Sequence, residues 1–264
     1  MTDLALLGVC LAAALGIGLI GFRKTVWFIS IGYTFTIAVG ATLVALFASE
    51  LRLHNGLQLG ILFVWAARLG MFLIRRDRDE RYRNAVDDQT SRAQALPLMA
   101  KVGIWISCAV LYVCMLSPAV FSLAPLTLGV VAYSGIAVML AGLVIESIAD
   151  AQKARFKREQ PRQFTNVGLY RWVRCPNYLG EILVWVGSFL VGVPFYGVWW
   201  HWCIAGVGLI CIVLIMMGST KRLEAKAEER YGEDAAFREY CRSVPILFPW
   251  LPIYSLKRVR VYLE

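Results

Sequence analysis

Charge is scarce in this chain. Only 17% of its 264 residues are Asp, Glu, Lys or Arg, where a soluble domain carries about a quarter, so a water-soluble globular fold is excluded. Acidic residues are the rarer kind, 18 against 27 basic, giving a net charge of +9. Histidine occurs twice, as His54 and His201, and no His/Cys spacing suited to a metal appears. The seven cysteines are odd in number, and Cys10, Cys108, Cys114, Cys203 and Cys211 fall inside apolar runs, where a thiol behaves as a small hydrophobe. No disulfide framework is expected. Gly-rich phosphate loops and Ser/His/Asp sets are missing too, which rules out the known soluble dinucleotide folds. The basic residues lie between apolar runs and not on a basic face with interleaved aromatics, so no nucleic-acid partner is expected. Internal repeats and Pro/Ser-rich linkers are absent, leaving one membrane domain over 1–264.

What the chain has in abundance is apolar surface, 59% of its residues. A crossing helix needs about 20 mainly apolar residues. Seven runs qualify, at 3–22, 25–48, 56–74, 98–116, 124–149, 178–198 and 199–218, predicting an all-α membrane protein built as a seven-helix bundle. The first run lacks the basic start of a signal peptide and is followed by Arg23 and Lys24, so it is read as a retained anchor. With seven crossings, 25 of the 27 basic residues fall on one side, against Arg52 on the other and Arg68 within helix three. That asymmetry predicts an outside N-terminus and a cytoplasmic C-terminus. The polar stretches 75–97, 150–176 and 219–264 then share the cytoplasmic side as one cap. Trp199, Trp200 and Trp202 are expected to anchor the opposite interface.

Ionisable residues within crossing segments are costly and mark sites. Arg68, in FVWAARLGMF, is such a residue; it either meets an anionic or polar ligand in the bundle, or it snorkels to the interface or forms a structural ion pair. Glu146, Asp150, Lys153 and Lys157 are spaced four, three and four apart and share one helical face. A solvated face accounts for the lysines, whereas Glu146 and Asp150 need a polar partner at membrane depth. The densest signal is GLYRWVRCPNYLGE, 168–181. Pro176 suits the first turn of a helix, whose start attracts phosphate, and Arg171 and Arg174 stand just upstream with guanidinium forks. Arg174, Asn177 and Glu181 are expected on one face, leading from the arginines into the membrane. Tyr33, in SIGYTFT, is a candidate proton donor or a buried tyrosine bonded to a carbonyl. The tail KRLEAKAEERYGEDAAFREYC reads as an amphipathic helix pair, in which Lys221, Arg222 and Glu224 either contact a ligand or, the preferred reading, lie on a solvated face. Both histidines are expected to be structural.

IESIADAQKARF, GLYRWVRCPNYLGE and a tail ending SVPILFPWLP together resemble the steroid 5α-reductase-like membrane family and its bacterial branch. The likeness begins at WAARLGMFLIRRDRDERYR and covers about the C-terminal 200 residues. It implies a seven-helix fold in a bacterial inner membrane that binds NADPH from the cytoplasmic side and admits a lipid-like enone from the bilayer. The resemblance further implies that Arg68, Asp150, Lys157, Asn177 and Glu181 line the cofactor site, with Glu146 where another polar contact is expected; beside that set, Arg171, Arg174 and Tyr178 of the 168–181 stretch are expected cofactor contacts too. The chain departs from the family's substrate half. Ser30 and Ile31 take the place of a Gln-Glu pair, Trp65 that of a Tyr, and Cys175 that of a His usual in bacterial relatives. A 3-oxo-steroid is therefore not assumed.

The expected function is NADPH-dependent reduction of a conjugated carbon–carbon double bond in a hydrophobic substrate, with membrane lipids as surroundings. The alternative is a membrane methyltransferase of the isoprenylcysteine or phospholipid type using S-adenosylmethionine, which shares the Arg-x-x-Pro-x-Tyr-x-Gly stretch. Transport would place polar groups near the midplane on broken helices; here they gather at the cytoplasmic end.

Overall fold

The computed structural model describes residues 2–78, 94–124 and 129–259. Among these residues the secondary structure is helical throughout, and seven helices are long and apolar enough to cross a membrane. Most of the cap stretch 75–97, namely 79–93, lies outside the described residues, as do 260–264. The chain divides into two compact units, the first formed by Met1–Ile136 with Ser188–Leu209, the second by Ala137–Gly187 with Ile210–Glu264.

The first unit begins with α1 (Asp3–Gly18), capped by the Thr2 hydroxyl, which accepts the Ala5 N–H at 3.3 Å. A short α2 (Ile20–Arg23) and a 3-10 turn (Thr25–Phe28) precede α3 (Ile31–Phe47). The second run, expected as one helix over 25–48, is thus interrupted at Ile29–Ser30. The Ser30 hydroxyl donates to the Val26 carbonyl at 2.8 Å, a local bond of the kind that competes with a helical ladder. α4 (Leu53–Arg78) and α5 (Leu98–Phe121) both overrun their expected limits. α3 packs on α4 and α5, and α1 on α3 and α5. Trp65, Leu62, Ile37, Phe28 and Leu116 fill the core.

At the Leu53 end of α4, His54, Asn55 and Gln58 are fully buried in a hydrogen-bonded network. Asn55 Nδ2 donates to the Ser122 carbonyl at 2.5 Å, Gln58 Nε2 to Ser188 Oγ at 3.0 Å, and Ser122 Oγ to Gln58 Oε1 at 3.0 Å. His54 stacks on Phe195 and His201 on Phe121, in keeping with structural histidines. At the other end of α4, Asp77 pairs with Lys24.

The second unit is built on α6 (Val130–Glu159), α7 (Pro176–Gly192), α8 (Trp199–Tyr231) and α9 (Ala235–Ser243), of which the first three also give residues to the first unit. α6 and α8 run well past their expected ends at 149 and 218. Their apolar stretches pass into Ala-, Glu-, Lys- and Arg-rich segments, and these are good helix formers. α9 is capped by Asp234, whose carboxylate accepts the Ala236 N–H at 2.8 Å, and it buries Phe237, so the tail does form a helix pair.

Candidate functional site

The site is organised by two glycines. A Cβ on Gly142 of α6 would sit 2.6 Å from the Gly180 carbonyl oxygen and 2.7 Å from the Val184 nitrogen. One on Gly180 of α7 would meet the Glu146 nitrogen and Cβ and the Gly142 oxygen, all at 2.7 Å. The two backbones touch, which only residues without side chains allow, as in membrane helix pairs generally. Glu146 lies one turn beyond Gly142, and Glu181 follows Gly180. Both glutamates are buried, 2% and 7% exposed, on the two helices that cross there. The sequence names Gly180 within a motif but gives no sign of its contact with Gly142.

Asn177 and Glu181 sit one turn apart at the start of α7, as their spacing predicts. The Asn177 Oδ1 is buried with no hydrogen-bond partner among the described residues. Asp150 and Lys153 continue the α6 face beyond Glu146 and are half-buried, and Tyr178 is half-buried in the first turn of α7. Lys157 donates to Tyr231 Oη at 2.8 Å and to the Gln163 carbonyl. Arg171 is exposed.

Arg174 departs from expectation. The helix starts at Pro176, so Arg174 shares no helical face with Asn177 and Glu181. It lies in the preceding loop, where its N–H donates to the Pro245 carbonyl at 2.9 Å and the Cys175 N–H to the Ile246 carbonyl at 3.0 Å. Its guanidinium donates to Cys241 Sγ at 3.0 Å and to the Tyr254 carbonyl, and pairs with Glu224 of α8 at 3.5 Å. Glu224 is buried as well and accepts the Leu256 N–H at 3.0 Å. This overturns the solvated-face reading of Glu224. The pair borders a cavity of about 430 Å³ shared with Glu228, Arg238 and Lys257; Glu146, Asp150, Asn177 and Glu181 do not line it.

The loop ahead of α7 is fixed by Gly168, whose φ of +58° puts it in the left-handed region favoured by glycine. A Cβ there would also strike the Gln152 side chain, which accepts the Leu169 N–H at 2.9 Å. Tyr170 Oη donates to the Ala149 carbonyl at 3.3 Å, and Tyr240 Oη to the Tyr170 carbonyl at 2.6 Å. Burial pushes both phenols above their ordinary range, with Asp150 adding to the effect on Tyr170. Burial also raises the Cys175 thiol to about 11, outweighing the opposing pull of Lys153 and Arg174.

Arg68 and Tyr33 belong to the first unit. Arg68 is half-buried on α4, one turn beyond Trp65. Tyr33 is buried between the Trp65 ring, edge-on at 5.4 Å, and the Tyr112 ring, stacked at 5.0 Å. Among the described residues no group of His, Cys, Asp or Glu is placed to hold a metal ion.

An uncharacterised protein of Schizosaccharomyces pombe is 35% identical over 91 residues, a stretch covering 34% of this chain and 25% of that relative. The match thus spans about a quarter of the relative's length. No solved structure matches. A family model described as "Protein of unknown function (DUF1295)" matches residues 19–244, nearly the whole of both units, and the chain belongs to that family.

Proposed function

We propose that this membrane protein is an NADPH-dependent reductase of a conjugated carbon–carbon double bond in a hydrophobic substrate. The family's association with steroid 5α-reductase-like membrane proteins supports the reading. The observation that carries it is the buried polar group near the Gly142–Gly180 crossing: an unpartnered buried Oδ1 on Asn177, one turn from the buried Glu181 on the helix that meets α6 at Glu146. An amide and carboxylates at membrane depth suit a carboxamide, which has both N–H donors and a carbonyl acceptor. NADPH has such a group on its nicotinamide ring, and bound there it would supply hydride.

In this reading Asn177, Glu181 and Glu146 orient the carboxamide, and the apolar lengths of α6 and α7 exclude water from it. Asp150 and Tyr178 continue the polar face toward the loop, where the exposed Arg171 is placed to meet phosphate. Reduction adds a hydride and a proton across the double bond, and Tyr33 is proposed as the proton donor from the sequence alone. Arg68 is likewise kept as a cofactor contact on the resemblance.

One observation favours a second reading. Lys157 and Arg174, two cations expected at the cofactor site, already donate to Tyr231, Gln163, Cys241 and Tyr254, and Arg174 is paired with Glu224. A methyl donor such as S-adenosylmethionine asks for fewer cations. Thermal shift of the purified chain with each ligand separates the two. NADPH is expected to stabilise it and S-adenosylmethionine not. Glu181→Ala should lower NADPH affinity about tenfold to a hundredfold, the equivalent of about 1–3 kcal/mol for a buried group left unpaired, and Glu181→Gln less. Stabilisation by the methyl donor alone reverses the assignment, and a folded Glu181→Ala that binds NADPH like wild type moves the nicotinamide elsewhere.

A further inference from the structure

The C-terminal segment beyond α9 has an apolar surface that neither unit's chemistry uses. Ile246 and Leu247 are buried, and the Ile246 N–H donates to the Ile253 carbonyl at 2.9 Å. The loop so closed turns its tip outward: Trp250 is 63% and Leu251 41% exposed. Trp172, in the loop ahead of α7, is 74% exposed. Scattered single hydrophobics on a surface need no explanation, but two tryptophans and a leucine left open on two short segments do.

Depth says what covers them. The tail loop is stitched to Arg174 and Cys175 by two backbone hydrogen bonds, at 2.9 and 3.0 Å. Those residues immediately precede Pro176, the first residue of the crossing helix Pro176–Phe195. The loop is therefore held where a helix enters the bilayer, the level at which tryptophan rings settle. Charge says which lipid. From Gln160 to Pro176 and from Ser243 to Val259 there is no acidic residue, while Arg162, Arg171 and Arg258 are exposed. Basic residues at that level are drawn to anionic headgroups.

We infer that the Pro245–Ile253 loop is an interfacial anchor that seats Trp250 and Leu251, together with Trp172, among the anionic lipids of the leaflet where α7 begins. The occupant is the bilayer itself, and the inference does not depend on the reductase reading. The anchor fixes the tail at one depth, and through its two hydrogen bonds the residues that open α7.

The test uses the full chain in nanodiscs of phosphatidylglycerol and phosphatidylcholine, with bromines high on the acyl chains of one lipid or the other. Trp250 is exposed, so Trp250→Phe should leave the unfolding midpoint unchanged, and the emission lost on substitution reports Trp250 alone. That difference emission is expected to fall about twofold with brominated phosphatidylglycerol and clearly less with brominated phosphatidylcholine. The preference should vanish in Arg162→Gln/Arg258→Gln. Difference emission quenched by neither lipid overturns the anchor and leaves the loop for water, a second copy or another protein. Equal quenching by both overturns the choice of anionic lipid.

Discussion

Arg174 and Glu224 form an ion pair at 3.5 Å whose side chains are only 8% and 7% exposed. It joins the loop before α7 to α8 and also holds the tail, since Glu224 accepts the Leu256 N–H and Arg174 donates to the Tyr254 carbonyl. A buried pair is itself a modest source of stability, but one buried charge left alone is costly. Glu224→Ala is therefore expected to destabilise the protein by about 3–5 kcal/mol. Arg174→Met/Glu224→Leu should lose clearly less than the single change. Denaturant titration of wild type and both variants in one detergent checks this; a double variant as unstable as Glu224→Ala counts against the pair.

Gly180→Ala should force α6 and α7 apart, because the new methyl would lie 2.7 Å from backbone atoms that cannot swing away. Overpacking of this kind costs about 1–3 kcal/mol. Gly60→Ala, where nothing lies within 4 Å, serves as the control and should be neutral or stabilising. Equal unfolding midpoints for the two variants would refute the close crossing.

Alkaline pH should weaken the second unit. Tyr170 and Tyr240 have pKa values raised in the folded state. Their contribution is thus fully present below the unfolded value of about 10 and is lost as pH rises past it toward the folded values. Stability followed by denaturant titration should fall above about pH 10, and less steeply in Tyr170→Phe. Phenolate absorbance should show these two rings ionising only with unfolding; early ionisation of both would contradict their burial.

Orientation is tested with reporters. The basic residues predict that one fused after the C-terminal residue is cytoplasmic and one placed between α5 and α6 is on the other side. Both reporters on one side would end the seven-crossing topology.

The seven crossings were legible because length and apolarity alone decide whether a segment can span a bilayer. Their ends were less so. The polar C-terminal stretches of α6 and α8 owe their helicity to Ala, Glu, Lys and Arg, which leave no apolar run to follow. The Glu146–Asp150 face and the Asn177–Glu181 pair could be read from spacing, since both lie on single helices. Glu224 could not, because its partner is fifty positions away and a buried glutamate has the same sequence surroundings as a solvated one. Gly142 was invisible for the same reason: a glycine announces a close approach only once the opposing backbone is known. The interruption at Ser30 turns on one hydroxyl bonding one carbonyl, a choice the apolar pattern around it does not record.

The hydrogen bonds from Arg174 and Cys175 to Pro245 and Ile246 also set an order of events during synthesis. The loop that opens α7 is made long before the tail that completes it; the Arg174 guanidinium finds its last partner eighty positions downstream, at Tyr254. While α8 is still leaving the ribosome, Arg174 has neither Glu224 nor the tail carbonyls, and a desolvated guanidinium without partners is unfavourable. The entrance to α7 must therefore stay hydrated until the tail arrives. The second unit can therefore close only after the segment carrying Pro245, Ile246 and Tyr254 has been made.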